Sequence, residues 1–125
     1  MVQFALDNLA GSMQVSVTFM GDDCCIAIYG GDKPHVGCTV LAVPRPSLTG
    51  QGTSATVSVL NATGHKDDFL ATAVAKEVAS RTNSTVTCCA GVHVDNATPQ
   101  IIESIVQSAS QIADIVISTR EEQSL

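Results

Sequence analysis

The stretch MQVSVTFMGDDCCIAIY, residues 13–29, decides the fold class. Its first seven residues alternate between apolar and polar side chains, which predicts a half-buried β-strand. Residues 21–23 predict a turn, and residues 24–29 are apolar enough for a second, central strand. Because the connection is too short for a helical crossover, these two strands must run antiparallel.

Three more strands are predicted after this hairpin, at residues 37–43, 54–60 and 84–90. The connections up to residue 43 are all short, so a meander of antiparallel neighbours is expected there. Prolines and glycines over residues 44–52 predict a loop. Residues 91–97 are interpreted as a connecting loop or a short extra strand.

Two helices are predicted from apolar side chains that recur at helical spacing. The first begins at Asp67 or Asp68, either of which suits an N-cap. The second begins with Thr98 as the cap and Pro99 at the first helical position. Residues 119–125 are expected to be a frayed tail. The apolar stripe of the first helix consists of Leu70, Val74, Ala75 and Val78.

The order of these elements predicts one α+β domain over residues 1–125. Its centre is an antiparallel sheet of about five to six strands, with two helices packed on one face. No internal repeat, low-complexity tract or domain boundary is visible in the sequence.

Composition and charge exclude several classes of protein. The chain has 125 residues, 45% of them hydrophobic and 14% charged, which excludes a disordered linker. Twelve acidic against six basic side chains give a net charge of −6, which argues against nucleic-acid binding. The shortage of charge favours a homodimer that buries a sheet edge or a helix face, because interface cores are depleted in charge.

The N-terminal residues and the cysteines indicate the compartment. The start of the chain has neither the basic region nor the apolar run of a signal peptide, and no window approaches the roughly 18 uninterrupted apolar residues of a membrane span. The five cysteines are odd in number and lack metal-ligand spacing, so reduced thiols that pack as small hydrophobes are expected. A cytoplasmic protein without membrane association is predicted.

Three polar, glycine-bearing loops, at residues 30–37, 64–68 and 91–96, each contain one of the three histidines. Loops at one end of a sheet can converge into a single site. In the first loop, Gly30 and Gly31 allow positive φ and could form an anion-binding nest, while Lys33 and His35 add charge and hydrogen bonding. These features suit a phosphate that adjoins a heteroaromatic ring. The alternative is a long hairpin loop whose histidine is satisfied by hydrogen bonds within the protein.

The second and third loops are less specific. His65 and Lys66 precede a helix N-terminus, which attracts anions, although the following aspartates can satisfy the same N–H groups as caps. His93, with Asp95 and Asn96 after it, could hold a hard cation, and a metal is left open. No serine elbow, activated thiol or buried carboxylate pair is recognisable, so no catalytic residue is predicted.

The motifs YGGDKPHVG (29–37), NATGHKDD (61–68) and GVHVDNAT (91–98) resemble the prenylated flavin chaperone family. These LpdD-like proteins are described as small accessory subunits of gallate- and protocatechuate-type decarboxylases. The resemblance extends over residues 13–117. The family is similar in fold to the proteasome-assembly chaperones, so a dimer of sheets with flanking helices is implied.

The resemblance implies a non-catalytic carrier. It would bind reduced prenylated FMN, or FMN, and protect it for or deliver it to a hydroxybenzoate decarboxylase. The residues that the resemblance assigns to cofactor contact are Gly30, Gly31, Lys33, His35, His65, Lys66 and His93. An assembly subunit that binds no cofactor is the alternative. A small enzyme acting through Cys38 or His35 is a third, weaker interpretation.

Overall fold

A computed structural model describes residues 1–62 and 67–123. The sheet and the two helices agree with the predicted α+β class. In chain order the elements are β1 (Val2–Asn8), β2 (Gly11–Met20), β3 (Asp23–Gly31), β4 (Cys38–Pro46), β5 (Thr53–Asn61), α1 (Asp67–Thr82), β6 (Val86–His93) and α2 (Pro99–Gln123).

The strand order differs from the predicted meander. The six strands are arranged β1-β2-β3-β6-β4-β5, so β6 lies between β3 and β4. It pairs parallel with β3 and antiparallel with β4, whereas all other pairs are antiparallel. The prediction that β3 and β4 are direct neighbours was therefore wrong. Residues 86–92 are apolar or small at nearly every position, as expected of a central strand.

Both helices cover one face of the sheet and leave the other open. The core side chains of the strands alternate with outward ones, as Met13, Val15 and Val17 of β2 do, and they are at most 1% exposed. The predicted stripe of α1 is buried against them, with Leu70 and Val78 at 1% and 0% exposure. We call the uncovered side of the sheet the open face.

One strand was not predicted, and several element boundaries differ from expectation, among them those of β6, which was predicted at 84–90 and spans Val86–His93. β1 was not predicted, although Val2, Phe4 and Leu6 alternate with more exposed residues as a strand requires. β4 continues to Pro46, beyond the predicted end at residue 43. Its prolines are tolerated because β6 pairs with β4 only as far as Ala42, so a proline beyond that point removes no hydrogen bond to β6.

The C-terminal helix is longer than expected. α2 begins with the predicted cap, since the Thr98 hydroxyl accepts a hydrogen bond from the Ile101 amide at 3.2 Å. The helix continues to Gln123. The frayed tail predicted for residues 119–125 is therefore wrong for residues 119–123. Residues 124 and 125 lie outside the described chain.

By length and composition, α2 could also cross a membrane, contrary to the sequence expectation. One third of its most apolar 18-residue window is buried inside the protein. Ile112 and Val116 are fully buried in the core, which gives their apolar character a structural reason. Because core helices pass the same test of length and composition, this feature is weak evidence for a membrane span.

All five cysteines carry free thiols, in agreement with the expected reduced state. In each adjacent pair one thiol faces the core and the other the open face, as the alternation of a strand requires. Burial raises the pKa of the Cys24 thiol to about 11 and that of Cys88 well above its ordinary value. These two core thiols are therefore protonated and unreactive at neutral pH.

Candidate functional site

The parallel pairing of β3 and β6 brings two of the predicted loops together. Both strands finish at the same end of the sheet, where Gly31 is paired with His93. β4 begins and β5 finishes at this end too, because Cys38 is paired with Asn61. We call it the site end of the sheet, and we call the opposite end the far end. Residues 32–37 and 94–98 both extend from the site end.

Backbone hydrogen bonds hold the 32–37 loop against β6. The Asp32 amide donates to the His93 carbonyl at 2.6 Å, and the Gly37 amide donates to the Ala90 carbonyl at 2.8 Å. A Cβ atom at Gly91 would overlap the His35 carbonyl, so only glycine allows this approach. Gly91 belongs to the open-face positions of β6, and the loop therefore crosses that face.

Gly31, at the end of β3, allows the backbone to pack closely against β6. Gly31 has a φ of +76°, and a Cβ there would overlap the His93 carbonyl. The amides of Asp32 and Lys33, which follow, both donate to that same carbonyl, at 2.6 and 3.4 Å. These N–H groups point at the protein, so the predicted anion-binding nest is not formed by them. Contact of Gly30 or Gly31 with a cofactor stays a prediction.

A small charged cluster occupies the space between the two loops. The Asp95 carboxylate lies 3.6 Å from the Lys33 ammonium, and His93 Nε2 donates to the same carboxylate oxygen at 3.0 Å. The Asp95 amide donates in turn to the Asp32 carboxylate at 2.9 Å. The hydrogen bond from His93, followed by the charge of Lys33, lowers the pKa of Asp95 below its ordinary value. The carboxylate is therefore ionised at neutral pH.

The remaining predicted contacts are partly described. His35 is directed by its own loop, since Nδ1 donates to the Lys33 carbonyl at 2.9 Å. His65 and Lys66 lie outside the described residues, so their position relative to the cluster stays a prediction. The strand before them, β5, finishes at the site end, as its pairing with β4 requires.

An uncharged surface adjoins the cluster on the open face. Tyr29 is paired with Gly91 and is 38% exposed, next to the crossing 32–37 loop. Across β2, β3, β6 and β4, the two central rows of this face hold uncharged side chains. These are Ser16, Thr18, Cys25, Ala27, Thr39, Leu41, Thr87 and Cys89.

The hard-cation alternative gains no support from the described part of the chain. Within residues 1–62 and 67–123, no three His, Cys, Asp or Glu side chains are grouped closely enough to hold a metal ion. His93 and Asp95 instead form a hydrogen-bonded pair. Lys33 and the histidines are a cation and hydrogen-bonding groups of the kind that an anion requires, and an uncharged surface lies beside them.

Comparison with known proteins identifies the family. The family model of the prenylated flavin chaperone LpdD-like domain matches residues 9–121, and the chain belongs to this family. Protein LpdD of Lactiplantibacillus plantarum is 27% identical over 120 residues, which cover 94% of this chain and 84% of that protein. The predicted resemblance is thereby confirmed.

The fold is also similar to that of a solved chaperone. A chain in the crystal structure of a chaperone complex for yeast 20S proteasome assembly superposes with a TM-score of 0.51. The match covers 98% of both chains at 14% sequence identity. At this identity the likeness shows a shared fold alone, and it confirms the proteasome-assembly-chaperone-like architecture predicted from the sequence.

Sequence reasoning missed the roles of three residues of this site. Asp32 was noted only as part of a motif and Asp95 only as a possible cation ligand. The Asp32 carboxylate accepts from the Asp95 amide, and the Asp95 carboxylate pairs with Lys33 and His93. Tyr29 was assigned to a strand without a role. Its place two residues before Gly31, on the same face of β3, could have indicated it.

Proposed function

We propose that this protein binds reduced prenylated FMN, or FMN, and delivers it to a hydroxybenzoate decarboxylase without catalysing a reaction itself. The observation that carries the proposal is the convergence of Lys33, His35 and His93 at one end of an uncharged sheet face. Membership of the prenylated flavin chaperone family supports the choice of ligand.

The residues present fit the two parts of such a cofactor. Lys33 and the His93 ring supply a cation and a hydrogen-bond donor for a phosphate, and both are exposed, with side-chain exposures of 70% and 43%. The Tyr29 ring and the neighbouring small side chains offer the apolar contacts that a flavin ring needs. When bound, the cofactor supplies the ring that the partner decarboxylase uses, and this chain only binds and shields it.

Partial shielding also agrees with a carrier. A ligand on an exposed face is protected less than one in a closed cavity, and it can leave without unfolding of the protein. Moderate affinity is required, because a carrier that binds too tightly cannot release its cargo to an apo-enzyme.

Reconstitution of an apo-decarboxylase with limiting reduced prenylated FMN under anaerobic conditions tests the proposal. Wild-type protein should raise the active fraction, and Lys33→Ala should lower this effect, since a charged phosphate contact contributes about 1.5–3 kcal/mol. Lys76→Ala removes the same charge from an exposed position on α1 and serves as the matched control. A decarboxylase already loaded with cofactor should respond to none of them.

Two results would contradict the proposal. The first is an active fraction that wild-type protein leaves unchanged, which would favour an assembly subunit without cofactor. The second is decarboxylation of a hydroxybenzoate by this protein alone, which would favour an enzyme.

We also propose that the protein is a cytoplasmic homodimer joined through the half of its open face that lies towards the far end, which leaves the flavin at the site end accessible. Thr18, Cys25, Thr87 and Leu41 form an uncharged row across this half. Such a row can meet its own copy without repulsion, although the chain carries a net charge of −6.

Light scattering should return twice the chain mass for wild-type protein. Leu41→Glu on the open face should give a monomer, because it buries opposed carboxylates, whereas Ala73→Glu on the exposed side of α1 should not. A wild-type monomer at micromolar concentrations would contradict the dimer.

A further inference from the structure

The cluster at the site end is not an open anion site as it stands. Residues 30–37 and 91–96 contain one lysine against two aspartates, so with neutral histidines they carry a net charge of −1. A phosphate approaching Lys33 therefore meets a carboxylate that is already paired with it.

The two groups that would recognise a phosphate share one partner. Asp95 Oδ1 contacts the Lys33 ammonium at 3.6 Å and accepts the hydrogen bond from His93 Nε2 at 3.0 Å. One oxygen thus occupies both contacts. A phosphate oxygen needs the same kind of partner at the same place, because it too is an anionic acceptor.

Asp95 is held in this position by its backbone. Its amide donates to the Asp32 carboxylate at 2.9 Å, and the Asp32 amide donates to the His93 carbonyl at 2.6 Å. These bonds tie the competing carboxylate to the paired ends of β3 and β6. Its main chain is therefore held by contacts that do not involve Lys33.

We propose that the Asp95 carboxylate is an internal competitor for the phosphate of the bound flavin and thereby sets the moderate affinity that release requires. This inference rests on the proposed function. Binding exchanges the carboxylate for the phosphate at Lys33 and His93, and release exchanges them back. No covalent bond changes in either direction.

The test uses the intact protein and compares FMN with riboflavin, which lacks the phosphate. In fluorescence titrations, Asp95→Asn should bind FMN about threefold to tenfold more tightly, since an exposed ion pair and the repulsion of the phosphate are both removed. Its affinity for riboflavin should not change. Asn retains an acceptor for His93, so the ring keeps its hydrogen bond.

Two further variants make the test specific. Asp22→Asn removes the same charge from an exposed position at the far end, and it should leave the affinity for FMN unchanged. In a Lys33→Ala background, Asp95→Asn should tighten FMN binding less. The Lys33 ammonium, which Asp95→Asn would otherwise release from its ion pair, is absent from this background. Unchanged or weaker FMN binding by folded Asp95→Asn would overturn the proposal, as would equal tightening for riboflavin. Asp95→Ala, checked by circular dichroism, replaces Asp95→Asn if that variant fails to fold.

Inorganic phosphate separates this inference from the proposed function. If wild-type protein binds neither FMN nor reduced prenylated FMN, the proposed cofactor is wrong, but phosphate titrations followed by NMR still test the competition. Asp95→Asn should then bind inorganic phosphate more tightly than wild type does. If neither protein binds phosphate, the competition is wrong as well.

Discussion

The two ends of the sheet contain similar residue types in different arrangements. At the far end, the connections are turns with positive φ at Gly21, Asn83 and Gly50, and the cation Arg81 bridges Glu77 of its own helix and Asp114 of α2. At the site end, the cation Lys33 pairs, among the described residues, with Asp95 of the loop cluster. The comparison shows that charge joins two helices at the far end and two loops at the site end.

The glycines differ in the same way. A Cβ at Gly50 meets nothing within 4 Å, whereas a Cβ at Gly31 would overlap the His93 carbonyl. Both residues have positive φ, at +82° and +76°. The far-end glycine is required by its turn alone, and the site-end glycine also by the approach of β6.

The largest expected effect distinguishes these two glycines. Gly31→Ala should lower the free energy of unfolding by about 3 kcal/mol or more, because backbone strain and a clash with the His93 carbonyl add together. Gly50→Ala should cost only about 1–2 kcal/mol, from positive φ alone. Urea denaturation of both variants measures the difference. Equal losses would show that β3 and β6 do not need this close approach.

A smaller effect distinguishes the two cations. Arg81→Ala should lower the urea midpoint slightly, since it breaks an exposed bridge between α1 and α2 and leaves Asp114 without that cation. Lys33→Ala should stay within about 0.5 kcal/mol of wild type, because its ion pair is exposed and joins only loop residues. The order of the two midpoints in urea is the readout. A reversed order would mean that the site-end pair is structural.

The smallest effect is a change of pKa at the site end. The Asp95 pKa is lowered first by the hydrogen bond from His93 and then by the charge of Lys33. The stability that this pair contributes is therefore present at neutral pH and is lost as the pH falls through the lowered pKa. An NMR titration of the Asp95 carboxyl carbon should show the lowered midpoint, and His93→Ala should raise it more than Lys33→Ala. Identical midpoints in all three proteins would rule out the described contacts.

Much of the secondary structure could be predicted because it depends on local patterns. The alternation of β2 and the apolar stripe of α1 each describe one element against one core face, so residue spacing alone reveals them. The cap at Thr98 is local too, since it requires only a hydroxyl three residues before an amide. The candidate loops were found because glycine and histidine stand out between strands.

The sequence by itself thus determined all the described elements except β1, the class of fold, the family and the loops in which to search for a site. Only the tertiary structure decided that β6 enters between β3 and β4, because periodicity shows which residues are buried and not which strand is their neighbour. That insertion brings His93 and Asp95 to Lys33 across about sixty residues of chain, as the pairing of Gly31 with His93 requires. A contact between residues so distant in sequence depends on strand order, and no local pattern encodes it.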